Sequence, residues 1–339
     1  MLGDRRAHAA LVGALDGVDR LVLLGDVLEL RQGPLRDALW ASREVLTELG
    51  VELGPGAEVV LVPGNHDNHL LAPWFARRSR MGPPPPIGLD ATVDWRPAEA
   101  LALIARWVAP AQVRAAYPGV WLRNDVYATH GHYLDRHTTV PMFERLAAGA
   151  MARIVAESDG GPRSVRDYEV IFGPVYAWIH AVAQNGGPHL GESSHGASAQ
   201  AWRALAGSTR SRGIARRALI AAFPLGIRAL NRTGLGPLNA NLSGHELRRA
   251  ALRAFGEVLV RLEVEAEYVV FGHTHRAGPL PGDDVSEWRA PTGSQLINAG
   301  CWVHEPYFLG PDPGSSPYRP GFSVLLEDDG PPSVRCLLD

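Results

Sequence analysis

The sequence predicts an α/β fold that is interrupted by a long helical insertion. Four apolar runs have the length and the β-branched content of buried strands. Amphipathic helical spacing separates the first two of these runs. Between His130 and His273 lie 142 residues rich in Ala and Arg, more than a connection within a sheet requires. The first and last parts of the chain are therefore expected to form one core around an insertion.

The first part of the chain, residues 1–137, is expected to supply the first half of the core. A strand, a helix and a second strand follow one another, which is typical of a parallel sheet with helices on its faces. Later, Asn124 and Asp125 have the composition of a two-residue hairpin turn. The predicted elements are helix 5–16, strand 20–24, helix 35–49, strand 58–62, helix 97–116 with a break at Pro110, and hairpin strands 120–123 and 126–129.

Residues 138–263 are predicted to form the inserted helical cap. The stretch 193–249 contains nine Arg residues and a single acidic residue. The apolar residues 218–227 within it are flanked by Arg, which fits either a buried cap helix or contact with a membrane surface. Helices are predicted at 141–156, 165–184, 199–206 and 214–231, followed by one that runs from a capping box at Ser243 and Glu246 to Glu263.

Residues 264–339 are expected to return to the core. Short apolar runs alternate there with segments rich in Gly, Pro and Asp, which is typical of strands joined by turns. These strands are expected to complete a second sheet. They are predicted at 268–271, 295–298, 322–326 and 333–337.

Polar side chains follow each of the four apolar runs. Asp26 follows the first run, Asn65-His66-Asp67 the second and His130 the third. After the fourth run, His273 and His275 are two positions apart, so both can leave a strand end on the same side and converge on one point. The patterns at Asp26 and at Asn65 are, each alone, also common turn chemistry, whereas the two histidines after the fourth run are harder to explain as a turn. Four of them at strand ends, where α/β sheets place their sites, favour a metal site.

These four segments, in this order, resemble the motifs of the calcineurin-like metallophosphoesterase family. The resemblance implies a four-layer αββα sandwich as the core, with the helical cap inserted into it. It also implies hydrolysis of a phosphomonoester, phosphodiester or pyrophosphate through a metal-bound hydroxide. The matching segments are Gly25-Asp26-Val27-Leu28-Glu29, Gly64-Asn65-His66-Asp67, His130-Gly131-His132 and Gly272-His273-Thr274-His275.

The resemblance implies a metal-binding role for five residues. Two divalent ions, drawn from Mn, Fe, Zn, Ni or Co, would be bridged by Asp26. Asn65, His130 and His273 would complete one of these ions together with Asp26. His275 would bind the other ion, again with Asp26.

Two further residues are assigned to catalysis by the same resemblance. His66 would face the phosphate and the leaving group, where an imidazolium can stabilise developing charge or protonate the departing oxygen. Asp67 would orient the His66 ring and raise its pKa. His132 could approach the site in support of a ligand, but it is interpreted as structural. The remaining histidines have no spacing argument and are also interpreted as structural.

One family motif has no match in this sequence. The family begins with an Asp-x-His on a first strand, and nothing of that form precedes Asp26. Asp4 and His8 could share a helix face, but a helix is not the strand-end setting of that motif. We expect the first strand and its Asp-x-His to be encoded in frame upstream of Met1. The alternative is a catalytically weak or inactive scaffold that binds a metal ion or an anion.

Composition limits the partners of the protein. A net charge of −3 gives no global attraction to nucleic acid, so no nucleic-acid partner is expected. A phosphorylated small-molecule or lipid-linked substrate fits the resemblance. All 33 basic residues are Arg, which excludes a catalytic lysine. Cys301 and Cys336 do not form a disulfide framework, and a cytoplasmic location is expected.

Overall fold

The structure is a computed structural model of the chain. It describes residues 5–80, 82, 84–141, 143–155, 157, 160–184, 226–232, 236–239, 244–304, 306–310 and 312–339. Within these residues helices pack against a mixed, curled sheet, so the predicted α/β class is confirmed. No helix among the described residues has both the length and the apolar character needed to cross a bilayer.

Seven of the strands form one sheet, and the last two form a separate antiparallel pair. The prediction that four C-terminal strands complete a second sheet is wrong for strands 268–271 and 295–298, because they extend the first sheet. The strands predicted at 322–326 and 333–337 pair with each other. The strands are β1 (Arg20–Leu23), β2 (Glu58–Leu61), β3 (Asp90–Thr92), β4 (Gln112–Arg123), β5 (Val126–Thr129), β6 (Tyr268–Phe271), β7 (Gln295–Asn298), β8 (Phe322–Leu325) and β9 (Ser333–Cys336).

The sheet is built around the long strand β4. Its hydrogen-bonded order is β1-β2-β4-β5-β6-β7, and β3 pairs with β4 beside this path. Strands β1, β2 and β4 are parallel to one another, as are β5, β6 and β7, while β4 and β5 are antiparallel. Parallel strands need crossover connections, and the chain supplies them as helices or long loops.

The helices begin and end close to the predicted positions in most cases. The second helix runs past its predicted end at residue 49 to Leu53, and Gly54 follows it with a φ of 75° that suits a residue without a side chain. The helices are α1 (Arg5–Gly13), α2 (Leu35–Leu53), α3 (Ala72–Ser79), α4 (Ala100–Val108), α5 (Phe143–Ile154), α6 (Val165–Gln184), α7 (Gly244–Arg261) and α8 (Pro306–Leu309), with 3₁₀ turns at Asn68–Leu71, His132–Arg136 and Val285–Trp288.

The predicted helix 97–116 is correct only in its first half. Helix α4 ends at Val108, and residues 112–116 belong to β4. Their Ala content favours a helix locally. In the fold, however, Gln112 to Ala115 pair with β2 and Ala116 pairs with β3, so tertiary pairing overrides the local preference.

Part of the predicted cap lies within the described residues. The predicted helices 141–156 and 165–184 are confirmed as α5 and α6, and residues 226–232 are helical. The predicted helix 199–206, residues 214–225 and Ser243 of the capping box lie outside the described residues. Arg248 and Arg249 bind Glu287, so these two members of the basic stretch are ion-paired within the protein.

The hydrophobic core covers both faces of the sheet. A large cluster joins the helices to the sheet and includes Leu46, Ile104 and Phe255. A smaller cluster joins side chains from both groups of parallel strands, among them Val60 of β2 and Val270 of β6. Because both clusters are buried, the strand ends that carry polar residues are held on a rigid frame.

Candidate metal centre

The carboxyl ends of two strands meet near the middle of β4. Leu61, the last residue of β2, pairs with Ala115, and Thr129, the last residue of β5, pairs with Gly119. These two positions on β4 are about 13 Å apart at the usual rise of a strand. Strand β1 is parallel to β2, so its carboxyl end lies beside that of β2. Strand β6 is parallel to β5, so its carboxyl end lies beside that of β5. The loops after all four strands therefore converge.

Three side chains from these loops form a compact group that could hold a metal ion. The ligand atoms of Asp26, His130 and His273 all lie within 4.8 Å of one another. Asp26 Oδ2 is 3.1 Å from His130 Nε2. All three residues are among the ligands that the sequence predicts. They follow β1, β5 and β6, respectively. Because β2 and β4 lie between β1 and β5 in the sheet, the sheet must curl to bring the three side chains together.

Asn65, which is 3% exposed, adds an amide group to this cluster. Its Oδ1 lies 3.2 Å from Asp26 Oδ2, from His130 Nε2 and from His273 Nδ1. Asn65 Oδ1 and these three ligand atoms can all act as acceptors, and acceptors repel one another when nothing lies between them. A cation bound between them would make this arrangement favourable. In the absence of a cation, a rotation of the amide by 180° would direct its NH₂ toward these atoms. A cation would therefore draw the amide oxygen of Asn65 inward, whereas the surrounding ligand atoms alone favour the amide nitrogen there.

His130 is held with one ring nitrogen facing the cluster. Its Nδ1 lies 2.9 Å from the main-chain oxygen of Leu24 and donates to it, which leaves Nε2 for the cluster. Burial opposes the charged form of the ring, but the charge of Asp26 and its hydrogen bond raise the pKa of His130 to about 9. A divalent ion would replace this proton as the positive charge beside Asp26.

Asp26 is kept ionised by its surroundings. Burial opposes its charged form, yet the charges of His130 and His66 hold the pKa of Asp26 well below its usual value. Its Oδ1 also accepts a hydrogen bond of 2.8 Å from the main-chain N–H of His66. Asp26 therefore presents an anionic oxygen to the cluster, which is what a divalent cation requires.

His273 is held by a residue that the sequence does not mark. Its Nε2 lies 3.0 Å from both carboxylate oxygens of Asp135, which is 0% exposed. This contact places the proton on Nε2 and directs Nδ1 toward Asn65 and the cluster. Metal-binding histidines commonly donate their second N–H to a carboxylate in this way. The nearest sequence signal is the run from His130 to Asp135, which supplies both a ligand and this carboxylate.

Three of the predicted ligands have a left-handed main chain. The φ angles are 54° at Asp26, 64° at His273 and 61° at His275. Side chains other than Gly rarely adopt such angles, which cost about 1–3 kcal/mol and concentrate at functional sites. Among the described residues other than Gly, Glu263 also has a positive φ, of 53°, so three of the four such residues are predicted metal ligands.

Two glycines allow the loops to come this close. A Cβ atom at Gly25, whose φ is 86°, would overlap the His130 ring at Nδ1. A Cβ atom at Gly64 would overlap Asp26 Oδ1. Because these neighbours belong to the cluster itself, a larger residue at either position would displace a ligand.

Asp67 joins the first two loops through their main chains. Its Oδ1 accepts a hydrogen bond of 2.6 Å from Gly64, and its Oδ2 accepts one of 2.9 Å from Val27. Burial and the charge of Asp26 raise the pKa of Asp67 to about 6, although the main-chain donors lower it. Its side chain thus fixes the geometry of the loops that carry Asp26 and Asn65.

The expected contact between Asp67 and the His66 ring is made by Glu29 instead. His66 Nδ1 lies 2.6 Å from Glu29 Oε2, and His66 Nε2 lies 4.0 Å from Asp26 Oδ2. Burial lowers the pKa of His66, but the charge of Asp26 and the hydrogen bond to Glu29 raise it above its ordinary value. Asp67 does not contact the His66 ring, because its carboxylate already accepts hydrogen bonds from the main chain of Gly64 and Val27.

His275 does not belong to the compact group of three. Burial lowers its pKa to about 4, and the charges of Asp26 and His273 also act on it, so it lies near the cluster. His132 is 1% exposed, and its Nε2 lies 3.3 Å from the hydroxyl of Tyr117. Its ring centre is 5.7 Å from that of His130. His8, considered above as a replacement ligand, pairs with Glu48 of α2.

Helices α5 and α6 of the predicted cap contribute polar residues beside the cluster. Glu144 of α5 accepts a hydrogen bond of 2.9 Å from Arg31, whose Nη1 is 3.0 Å from the amide of Asn65. Glu169 of α6 accepts hydrogen bonds from Tyr117 and Tyr133. Sequence reasoning did not assign Arg31, Glu144 or Glu169 to the site, because no local pattern connects them with it.

Comparison with known proteins adds no assignment. No protein-family model matches this chain, and no curated protein matches it.

Proposed function

We propose that this protein is a metal-dependent phosphoesterase of the calcineurin-like type. Its substrate would be a phosphomonoester, a phosphodiester or a pyrophosphate. The observation that carries the proposal is the convergence of Asp26, Asn65, His130 and His273 on one point. The small core cluster shared by both groups of parallel strands supports the proposed αββα arrangement of the core.

The donor set fits a divalent transition-metal ion. One carboxylate oxygen, one amide oxygen and two imidazole nitrogens suit Mn, Fe, Zn, Ni or Co. Such an ion supplies Lewis acidity and lowers the pKa of water that it binds. We propose His275, together with Asp26, for a second ion. His275 lies outside the compact group of three, so the second ion would be held apart from the first.

His66 is proposed to act on the leaving group. Its side chain is 32% exposed and lies at the edge of the buried cluster. Glu29 accepts the Nδ1 proton, so the imidazolium form of His66 carries a second proton on Nε2, and this second proton can pass to the departing ester oxygen. An imidazolium at this position would also stabilise negative charge as the ester bond breaks.

A direct test measures metal content and hydrolysis in the same preparation. The purified chain would be loaded with Mn²⁺ and dialysed, and the ratio of metal to protein would be determined by elemental analysis. Turnover of p-nitrophenyl phosphate and bis-p-nitrophenyl phosphate would be followed by release of nitrophenolate. Bound metal with turnover is the expected result. Bound metal without turnover of either ester would favour the alternative, a scaffold that binds metal without catalysis.

The His66→Ala variant separates the roles of ligand and acid. It should keep the metal content of the wild type and lose about 10²- to 10⁴-fold in rate, as expected for a group in proton transfer. The matched control is His245→Ala, because His245 is an exposed residue of α7. Loss of metal in the His66 variant would contradict the assignment.

A further inference from the structure

Arg145 is a buried cation that has no acidic partner. It is 2% exposed, and no other Arg among the described residues is buried to this extent. Its Nε donates to the main-chain oxygen of Thr138 at 2.9 Å, and its Nη2 donates to that of Gly236 at 3.1 Å. Within the described part of the chain, no carboxylate forms an ion pair with it. A buried charge without a partner of opposite sign is costly.

The third nitrogen of this guanidinium, Nη1, is left over. It is buried, and no hydrogen-bond partner reaches it from the described residues. Buried N–H groups nearly always have a partner, so each exception needs a physical explanation. Because Nε and Nη2 already donate to main-chain oxygens, Nη1 is the one nitrogen that is wholly free. This suits a ligand that binds through a single atom better than a carboxylate or phosphate, which contacts two nitrogens of the fork.

The groups around Arg145 leave an excess of positive charge. The neighbouring arginines and glutamates form two ion pairs, Arg136 with Glu157 and Arg261 with Glu257. His137 lies among these groups, and burial together with the charges of the arginines lowers its pKa to about 3, so its ring is neutral. Burial, and then the charge of Arg136, lower the pKa of Arg145 to about 10, so its guanidinium stays charged at neutral pH. The region therefore carries one positive charge that the described residues do not balance.

The place of Arg145 in α5 adds to this positive potential. It is the third residue of the helix, which begins at Phe143. The first turn of a helix favours negative charge, because the N–H groups and the helix dipole are positive there. Glu144, the acidic residue of this turn, is already paired with Arg31 beside the metal cluster. An anion near Nη1 would therefore offset the guanidinium charge and the dipole of this turn together.

We propose that Nη1 of Arg145 binds a chloride ion where α5 meets the segments 137–139 and 236–239. The single charge of chloride matches the excess of positive charge, and a monatomic ion needs only one free nitrogen. The two segments are held together by a hydrogen bond of 2.8 Å from the main-chain N–H of Asn239 to the oxygen of Thr139. The ion would fix α5 to the chain that follows the turn His132–Arg136. This site contains no proposed metal ligand and does not depend on the proposed function.

The test measures thermal unfolding of the full chain as chloride replaces gluconate at constant ionic strength. Gluconate is too large to reach a buried nitrogen. The Tm of the wild type should rise by about 2–4 °C when chloride reaches about 10 times its Kd. Arg145→Met keeps most of the side-chain length and removes the charge, so its Tm should not respond to chloride. In gluconate this variant should be at least as stable as the wild type, because an unmatched buried charge has been removed.

The matched control is Arg248→Met. The side chain of Arg248 is 11% exposed and pairs with Asp283 and Glu287, so this Arg has the acidic partners that Arg145 lacks. Its loss should lower the Tm and leave the chloride response unchanged. A second measurement needs no variant. Crystals of the wild type grown in bromide should show an anomalous scattering peak beside Arg145 Nη1, because bromide occupies chloride sites.

Four results would overturn the inference. The first is a wild-type Tm that is the same in chloride and in gluconate, and the second is an equal chloride response in Arg145→Met. The third is a bromide crystal without an anomalous peak at Nη1. The fourth is a response to sulfate that exceeds the response to chloride and is lost in Arg145→Met, because the ligand would then be an oxyanion.

Discussion

His130 and His273 contribute to the same cluster, but the protein orients their rings by different means. The ring of His130 is fixed at Nδ1 by a main-chain oxygen, that of Leu24. The ring of His273 is fixed at Nε2 by a side chain, that of Asp135. A main-chain contact survives most substitutions, whereas a carboxylate contact depends on a single residue. The orientation of the His130 ring is therefore set by the main chain of the fold, and that of the His273 ring by the side chain of Asp135.

The largest expected effect comes from removing either ring. His130→Ala and His273→Ala should each reduce metal affinity by more than about 100-fold, beyond the range typical of residues that only support a ligand. Each variant would be titrated with Mn²⁺ in competition with a chelator. If His273→Ala kept the Mn²⁺ affinity of the wild type while His130→Ala lost it, the two histidines would not contribute equally to the metal centre. That result would contradict the prediction.

The second prediction changes the partner of each ring and keeps the ring. Asp135→Asn should weaken metal binding by about 10- to 100-fold, because Asn cannot accept the Nε2 proton as strongly. Leu24→Val keeps its main-chain oxygen and should bind metal as the wild type does. ¹⁵N NMR of the histidine rings would show a changed tautomer at His273 in the first variant alone. Equal effects at positions 24 and 135 would contradict the distinction.

Glu29→Gln tests whether a supporting carboxylate outside the cluster affects the rate without affecting the metal. Gln keeps the size of the side chain and loses the charge that faces His66. The turnover rate should fall by about 10-fold, equivalent to about 1.4 kcal/mol, while metal affinity stays unchanged. A loss of metal as large as that in Asp135→Asn would place Glu29 in the metal centre instead.

The smallest expected effect concerns two histidines that contact each other, His69 and His180, for which the described residues supply no carboxylate partner. The rings of His69 and His180 stack with centres 3.4 Å apart and connect α6 to the turn after β2. Burial, and then the charge of His180, lower the pKa of His69 to about 4. The unfolded chain binds this proton near pH 6.5, so the stability contributed by His69 falls as the pH drops from about 6.5 to 4.

Thermal unfolding between pH 7 and pH 4 would measure this contribution. His69→Gln should reduce the loss of Tm on acidification compared with the wild type. His245→Gln, at an exposed position of α7, is the control. Identical pH profiles for wild type and His69→Gln would show that the stacked pair does not titrate as expected.

The sequence predicted the part of the site that follows strand ends. Asp26, Asn65, His130 and His273 each follow an apolar run, and parallel strands place such residues at a common edge. Asp135 could not be predicted in this way, because it reaches His273 from a 3₁₀ turn far away in sequence. Its role depends on a contact between distant segments, which no local pattern encodes.

The same distinction applies to the fold. Helix α6 was predicted with its observed bounds because its apolar spacing is local. The first half of β4 was not, because its strand conformation depends on pairing with β2 and β3. The single curled sheet likewise depends on β6 pairing with β5 across the insertion, which sequence spacing does not reveal.

The placement of β6 beside β5 also affects when the metal centre can form during synthesis. His130 and Asp135 leave the ribosome with the first half of the chain, but His273 follows only after the insertion has been made. Until then Asp26 and His130 can approach each other without their third partner. We expect the nascent chain to bind metal tightly only after β6 has docked, because contacts between distant segments form late in folding.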